Sequence, residues 1–253
     1  VPGYPLKWSQ PVVQAYDAAG LPLTHNGKPV YNGWDEPSWS RNPTGVPPVV
    51  PQVADDWECI DNRPVTDIHW WGSYINWPDF VPPVSPTAFW FGIYNDVPAG
   101  AAGSYSHPGN LLWTYATTAY QEVHVGYDLY PLGVAPEATF QYNVFLPQAN
   151  WFDQAKYSVP GQKNIFWLSI VAVYPNPNAP NFPWGWKTRP HYFQDDAVRA
   201  VATAPSGWDP IIGPDQHSWD LSFELSTVPE PGTLLALASG LIGFVGLVAR
   251  KKT

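Results

Sequence analysis

The sequence predicts an all-β fold: a jelly-roll-like β-sandwich with an extended proline-rich arm at its N-terminus and one transmembrane helix at its C-terminus. Three observations lead there. Short aromatic and β-branched runs recur between proline- and glycine-rich turns, and several alternate with period two. Before residue 228 no amphipathic helix longer than a turn or two can be drawn. The last stretch, by contrast, is uniformly apolar and closes on three cations.

Taken in order, residues 1–50 hold few strand-length runs. VPGYPLKWSQP and NPTGVPPVVP are interrupted by prolines, which fix φ and remove a backbone donor. An arm laid across the sandwich is expected, with Trp8, Trp34 and Trp39 as pegs, because its aromatics argue for docking over disorder. The sandwich is placed at 51–226. Its clearest strands are 65–77, 87–96, 120–130, 138–146, 164–174 and 219–225. In the fourth, Phe140, Tyr142, Val144 and Leu146 share one face, and Thr139, Gln141, Asn143 and Phe145 share the other. The fifth, NIFWLSIVAVY, is apolar on both faces and reads as a central strand. No repeat of fixed period is present.

Charge narrows the partners. The whole chain carries a net -9, and the part before residue 229 is more acidic still, because Arg250, Lys251 and Lys252 lie beyond it with only Glu230 to offset them. A phosphate backbone is bound through clustered cations, so nucleic acid is excluded as a partner class. A lone cysteine, Cys59, allows no disulfide within the chain and reads as a small buried hydrophobe, or else as an intermolecular link. The sequence opens on Val1 and has no methionine, which suggests that a secretory signal has been removed.

Thr233 to Ala249 contains no charged residue. As a helix it spans roughly 26 Å, just short of a hydrocarbon core of about 30 Å. Arg250, Lys251 and Lys252 resist translocation, so the basic end, 250–253, is expected in the cytoplasm and the body outside. A linker at 227–232 precedes this helix, and its prolines hold it extended. Val228-Pro229-Glu230-Pro231, then an apolar run with Gly240, Gly243 and Gly246, then a short basic end, resembles the PEP-CTERM sorting signal of bacterial envelope proteins. The resemblance implies recognition by an exosortase, cleavage near Pro229-Glu230-Pro231, and release or attachment at the cell surface.

The body has a resemblance of its own. VADDWECIDNRPVTDIHWWGSY, FWFGIYNDVPAG, YSHPGNLLW, WGWKTRPHYFQDDAV and the closing WDLSFEL are similar to an uncharacterised jelly-roll domain of secreted bacterial proteins, over roughly residues 50–226. That likeness implies a fold and no activity.

Three constellations remain for chemistry. Asp55, Asp56, Asp195 and Asp196 form two adjacent acidic pairs, a pattern that supplies calcium ligands in sandwich domains and equally caps turns. Asp220 and Glu224 lie four apart, so on one strand they share a face, compatible with a glycosidase pair or with a solvated edge. Tryptophans exceed what one core needs. Trp70 and Trp71 point to opposite faces, and Trp184 with Trp186 share one, followed by the donors Lys187 and Arg189. Trp71, Trp184, Trp186, Lys187 and Arg189 are therefore candidates for a glycan-stacking platform. No HExxH, GxSxG or GxGxxG motif is present. The leading expectation is an exported, non-catalytic surface or matrix protein that binds or assembles with exopolysaccharide. The alternatives are a secreted glycoside hydrolase or lyase and a self-assembling subunit joined through Cys59 or an open sheet edge.

Overall fold

The period-two run at 138–145 forms a strand whose Ala138, Phe140, Tyr142 and Val144 are buried, while Phe145 on the other face is 45% exposed. The same rule organises the rest of the molecule. The structure is a computed structural model that describes residues 5–41, 51–101, 104–129, 136–174, 180–202, 204 and 206–228.

The N-terminal strands are β1 (Leu6–Gln10), β2 (Thr24–His25), β3 (Lys28–Tyr31), β4 (Asp35–Pro37) and β5 (Trp39–Ser40). The central strands are β6 (Val53–Glu58), β7 (Asp67–Tyr74), β8 (Ala88–Val97), β9 (His107–Thr117), β10 (Gln121–Asp128), β11 (Ala138–Phe145) and β12 (Ile165–Val173). The last are β13 (Trp184–Pro190), β14 (Val198–Ala200), β15 (Trp208–Pro210), β16 (Trp219–Leu221) and β17 (Phe223–Ser226). Two 3-10 turns, Gln148–Asn150 and Gln154–Lys156, are the helical elements among the described residues.

The larger sheet runs β1-β17-β7-β11-β10-β3-β2, with β13 bonded to β7, β4 and β16 beside that path. The smaller runs β15-β14-β6-β12-β8-β9, with β5 alongside β12. The sheets face each other across one core, as in a β-sandwich. The Trp70 ring of the larger sheet lies 5.0 Å from Phe89 and 5.2 Å from Phe91 of the smaller. On β12, Phe166, Leu168, Ile170 and Ala172 enter that core. Trp167, Val171 and Val173 point the other way, into a second cluster with Trp90, Tyr94 and Val198. Two clusters, one on each side of the smaller sheet, account for much of the tryptophan surplus.

Residues 6–40 are more than an arm lying on the surface, because they supply five strands to the two sheets. β1 pairs with β17, β3 runs parallel to β10, β4 pairs with β13, and β5 runs parallel to β12. Pro5 and Pro11 flank β1 and Pro37 ends β4, positions where a missing donor costs little. The aromatic pegs do pack: Trp8 lies 4.6 Å from Phe193, Trp34 4.8 Å from Trp219, and Trp39 6.5 Å from Tyr174.

Pro229, Glu230, Pro231, the expected transmembrane helix at 233–249 and the basic end at 250–253 lie outside the described residues. Among the described residues no helix is long and apolar enough to cross a membrane.

Candidate functional site

The site begins with β13. Trp184 and Trp186 belong to the core, so Lys187 projects from the opposite face of the larger sheet. Opposite Lys187 on β4 stands Asp35, and opposite Gly185 stands Pro37. A glycine is needed at 185, since a Cβ there would come within 2.7 Å of the Asp35 Cβ. The β10–β11 hairpin contributes the other acids. Asp128 N–H donates to the Glu137 carbonyl at 2.9 Å, which makes the two residues cross-strand neighbours. Ser73 Oγ on β7 donates to Asp128 at 3.3 Å, and Thr139 Oγ1 on β11 donates to its other oxygen.

The ends of β4, β10 and β11 and the middle of β13 thus bring Asp35, Asp128, Glu137 and Lys187 together. Oxygens of the three carboxylates lie within 4.8 Å of one another. Lys187 Nζ is 2.5 Å from Asp128 Oδ1, and both side chains are fully buried. Both Asp35 oxygens are buried without a hydrogen-bond partner. Burial, then the negative charge of Asp128 beside it, hold the Asp35 carboxyl well above the usual carboxylate range; Lys187 opposes this. Glu137 is pushed up to about 7, first by burial and then by Asp128, against the pull of the Asn76 backbone.

Above this cluster opens a cavity of about 710 Å³, lined by Trp34, Asp35, Glu36, Ile75, Asn76, Glu137, Arg199, Ile212, Gly213 and Pro214. Its volume suits a small ligand, and its wall mixes apolar surface with converging polar groups. Arg199 bonds Glu36 at 3.1 Å, and Trp34 Nε1 donates to Glu36 at 3.0 Å.

The sequence-expected platform does not form. Trp184 and Trp186 are 0% exposed and Trp71 is 6% exposed, so no ring is open for a sugar to stack on. Alternation does separate Trp184 and Trp186 from their neighbours, but the face they share is the core face. Lys187 is committed to Asp128. Arg189 donates to the Pro11 carbonyl at 2.8 Å and lies over the Tyr192 ring, leaving no donor platform.

The expected calcium set is also dispersed. Asp55 accepts from Gln10 Nε2 at 2.7 Å and from Leu221 N–H at 2.6 Å. Asp56, next along β6, projects to the opposite face, where Asp195 and Asp96 raise its pKa in addition to burial and Asp220. Asp196 faces His191 at 3.9 Å. Adjacent acids on a strand diverge, so four oxygens cannot converge on one ion. Asp220 is locked by Tyr192 N–H at 2.6 Å and Phe193 N–H at 3.0 Å, while Glu224 accepts from Ser9 at 2.5 Å. Neither is presented as a catalytic pair. The Cys59 thiol donates to the Asp61 carbonyl at 3.0 Å.

Asp35, Asp128 and Glu137 carry no local motif. They are far apart in the sequence and meet only through sheet registry; the one hint is that all are acids at strand ends beside Asn, Gly or Pro turns.

No curated protein and no solved structure matches this chain. The PEP-CTERM protein-sorting motif matches residues 227–252, which implies an exported protein sorted to the cell surface and recognised by an exosortase. The body matches from one edge strand, β1, to the other end of the same sheet pairing, β17, and so the chain belongs to the family described as Domain of unknown function (DUF7901), over residues 6–226.

Proposed function

We propose that this exported protein is a non-catalytic surface component that binds a hydroxyl-rich ligand, a glycan of the surrounding exopolysaccharide, in the cavity walled by Trp34, Glu36, Glu137 and Arg199. The observation that carries this reading is the cavity itself, whose carboxylates can accept hydrogen bonds from hydroxyls while Trp34, Ile75 and Ile212 offer apolar surface to a sugar ring. The apolar run at 233–249 holds the protein to the membrane until the exosortase acts. Glycan arrays on residues 1–228, followed by calorimetry on each hit, test it. Binding without release of reducing ends, weakened by Arg199→Ala, is the expected result; absence of any glycan hit overturns it.

A second reading has one observation in its favour. Glu137 keeps its proton up to about 7 and lines the cavity beside Asp35, which is how a general acid for glycoside cleavage is prepared. Release of reducing sugar that is lost in Glu137→Gln would make the protein a hydrolase.

A further inference from the structure

The floor of the cavity presents an electrostatic problem that its own residues do not solve. Asp35 is 7% exposed, Glu137 6% and Asp128 1%, so three carboxylates share one dry place. Lys187 supplies one positive charge, and it reaches Asp128. If all the acids ionise, two negative charges remain, which burial penalises heavily. The hydroxyls of Ser73 and Thr139 also serve Asp128. Asp35 is left aimed at the cavity with both oxygens unpartnered, an arrangement rare for a buried carboxylate.

We propose that Asp35, Asp128 and Glu137 hold a divalent cation, calcium, at the floor of this cavity. It concerns the same cavity and rests on that reading of it as a binding site, but the ion is measured with no glycan present.

Geometry and ligand chemistry select the ion. The three acids come from β4, β10 and the residue before β11, and none of their nearest oxygens is further apart than 4.8 Å. Oxygens that share one calcium at roughly 2.4 Å each lie up to about 4.8 Å apart, so this spacing is compatible with a common ion. The ligand set contains no imidazole or thiolate, which disfavours zinc and the later transition metals. Three protein carboxylates leave several of calcium's six to eight positions unfilled, and these face the cavity, where water or ligand hydroxyls complete the shell. Magnesium demands a tighter octahedron than the ends of one hairpin and of a third strand provide. Lys187 lowers the charge of the site to two, matching a divalent ion.

The full chain, stripped with EDTA and titrated with calcium chloride in a calorimeter, should bind one ion, and its melting temperature should rise with calcium. Magnesium should bind at least ten-fold more weakly. Asp35→Asn should lower calcium affinity at least ten-fold, while Asp153→Asn, an acid far from the cavity, should leave it unchanged. Should Asp35→Asn not fold, Glu137→Gln at the cavity wall gives the same reading. Absence of binding heat together with a melt unmoved by EDTA overturns the proposal, since Asp35 and Asp128 then share a proton in place of an ion. Wild-type calcium affinity in a folded Asp35→Asn or Glu137→Gln protein also overturns it, by placing the ion elsewhere. Glycan binding on the array with no calcium binding would sink this inference and leave the cavity's role as a glycan site standing.

Discussion

Lys187 Nζ lies 2.5 Å from Asp128 Oδ1 with neither side chain exposed, so the larger sheet carries a closed ion pair on the face opposite its core. Deleting one member of such a pair leaves the other charge buried alone. Lys187→Met should therefore cost about 3–5 kcal/mol in a denaturant melt. A loss below about 1 kcal/mol would mean that water reaches Asp128.

Trp184 supplies a second test, because the sequence assigns it to a ligand and the structure assigns it to the core. Its ring lies 5.1 Å from Phe89 and 6.0 Å from Tyr142. Trp184→Ala should lower stability by about 3–5 kcal/mol, as large core truncations do. A folded, undiminished protein that has lost glycan affinity would restore the stacking platform.

Asp56 makes stability fall with alkalinity. Its carboxyl is fully buried without a partner, and burial, then the charges of Asp220, Asp195 and Asp96, push it up to about 9. The folded chain therefore keeps a proton that the unfolded chain sheds near pH 4. Its contribution is complete below about pH 4 and is lost progressively as pH rises toward 9. Asp56→Asn should raise the melting temperature by several degrees at pH 8 and by less at pH 5, read by calorimetry. An equal effect at both pH values would refute the assignment.

At the acid end the sign reverses around Asp61. Partial burial opposes ionisation, but hydrogen bonds from Arg63 and Lys7 outweigh it and hold the carboxyl down at about 2. Lys7 Nζ approaches it at 2.5 Å and Arg63 at 2.6 Å. This depressed pKa contributes stability above about pH 4 that disappears as pH falls toward 2. Because Asp61 is only partly buried, solvent screens the effect, and Arg63→Ala should flatten it in an acid titration of the melt.

At the cavity rim, Arg199 is 41% exposed at its side chain and bonds Glu36 from outside. Arg199→Ala should weaken ligand binding several-fold and, because it strips the cation from the buried Glu36 carboxylate, should also cost about 1–3 kcal/mol. Equal binding by mutant and wild type would remove Arg199 from the site.

Much of the fold was legible because alternation is local. The runs at 65–77, 87–96, 120–130, 138–146 and 164–174 each contain one strand, β7, β8, β10, β11 and β12, with ends inside the expected bounds to within a residue or so. The strands missed break local rules. β6 is VADDWE, whose adjacent aspartates read as a turn until Gln10, Leu221 and the far face of the sheet receive them. β9 opens on His107-Pro108-Gly109, and β13 carries Gly185 and ends on Pro190. β1 to β5 are short and proline-broken, and exist because a neighbouring strand templates each one. The cavity was illegible for a related reason. Asp35 meets Lys187 through the pairing of β4 with β13, and Asp128 meets Glu137 across a hairpin, so only register brings the four together.

The two ends of β7 give the molecule a direction. Ser226, one residue before the sorting motif begins, pairs with Asp67 at the first residue of that strand. Tyr74 ends it, and Ile75 and Asn76 immediately beyond belong to the cavity wall. Eight residues at about 3.3 Å each set these points roughly 25 Å apart, close to the full height of a small sandwich. The chain therefore leaves the sandwich for its sorting motif at one pole and opens the cavity at the other, so processing of the tail and access to the mouth do not compete for the same end.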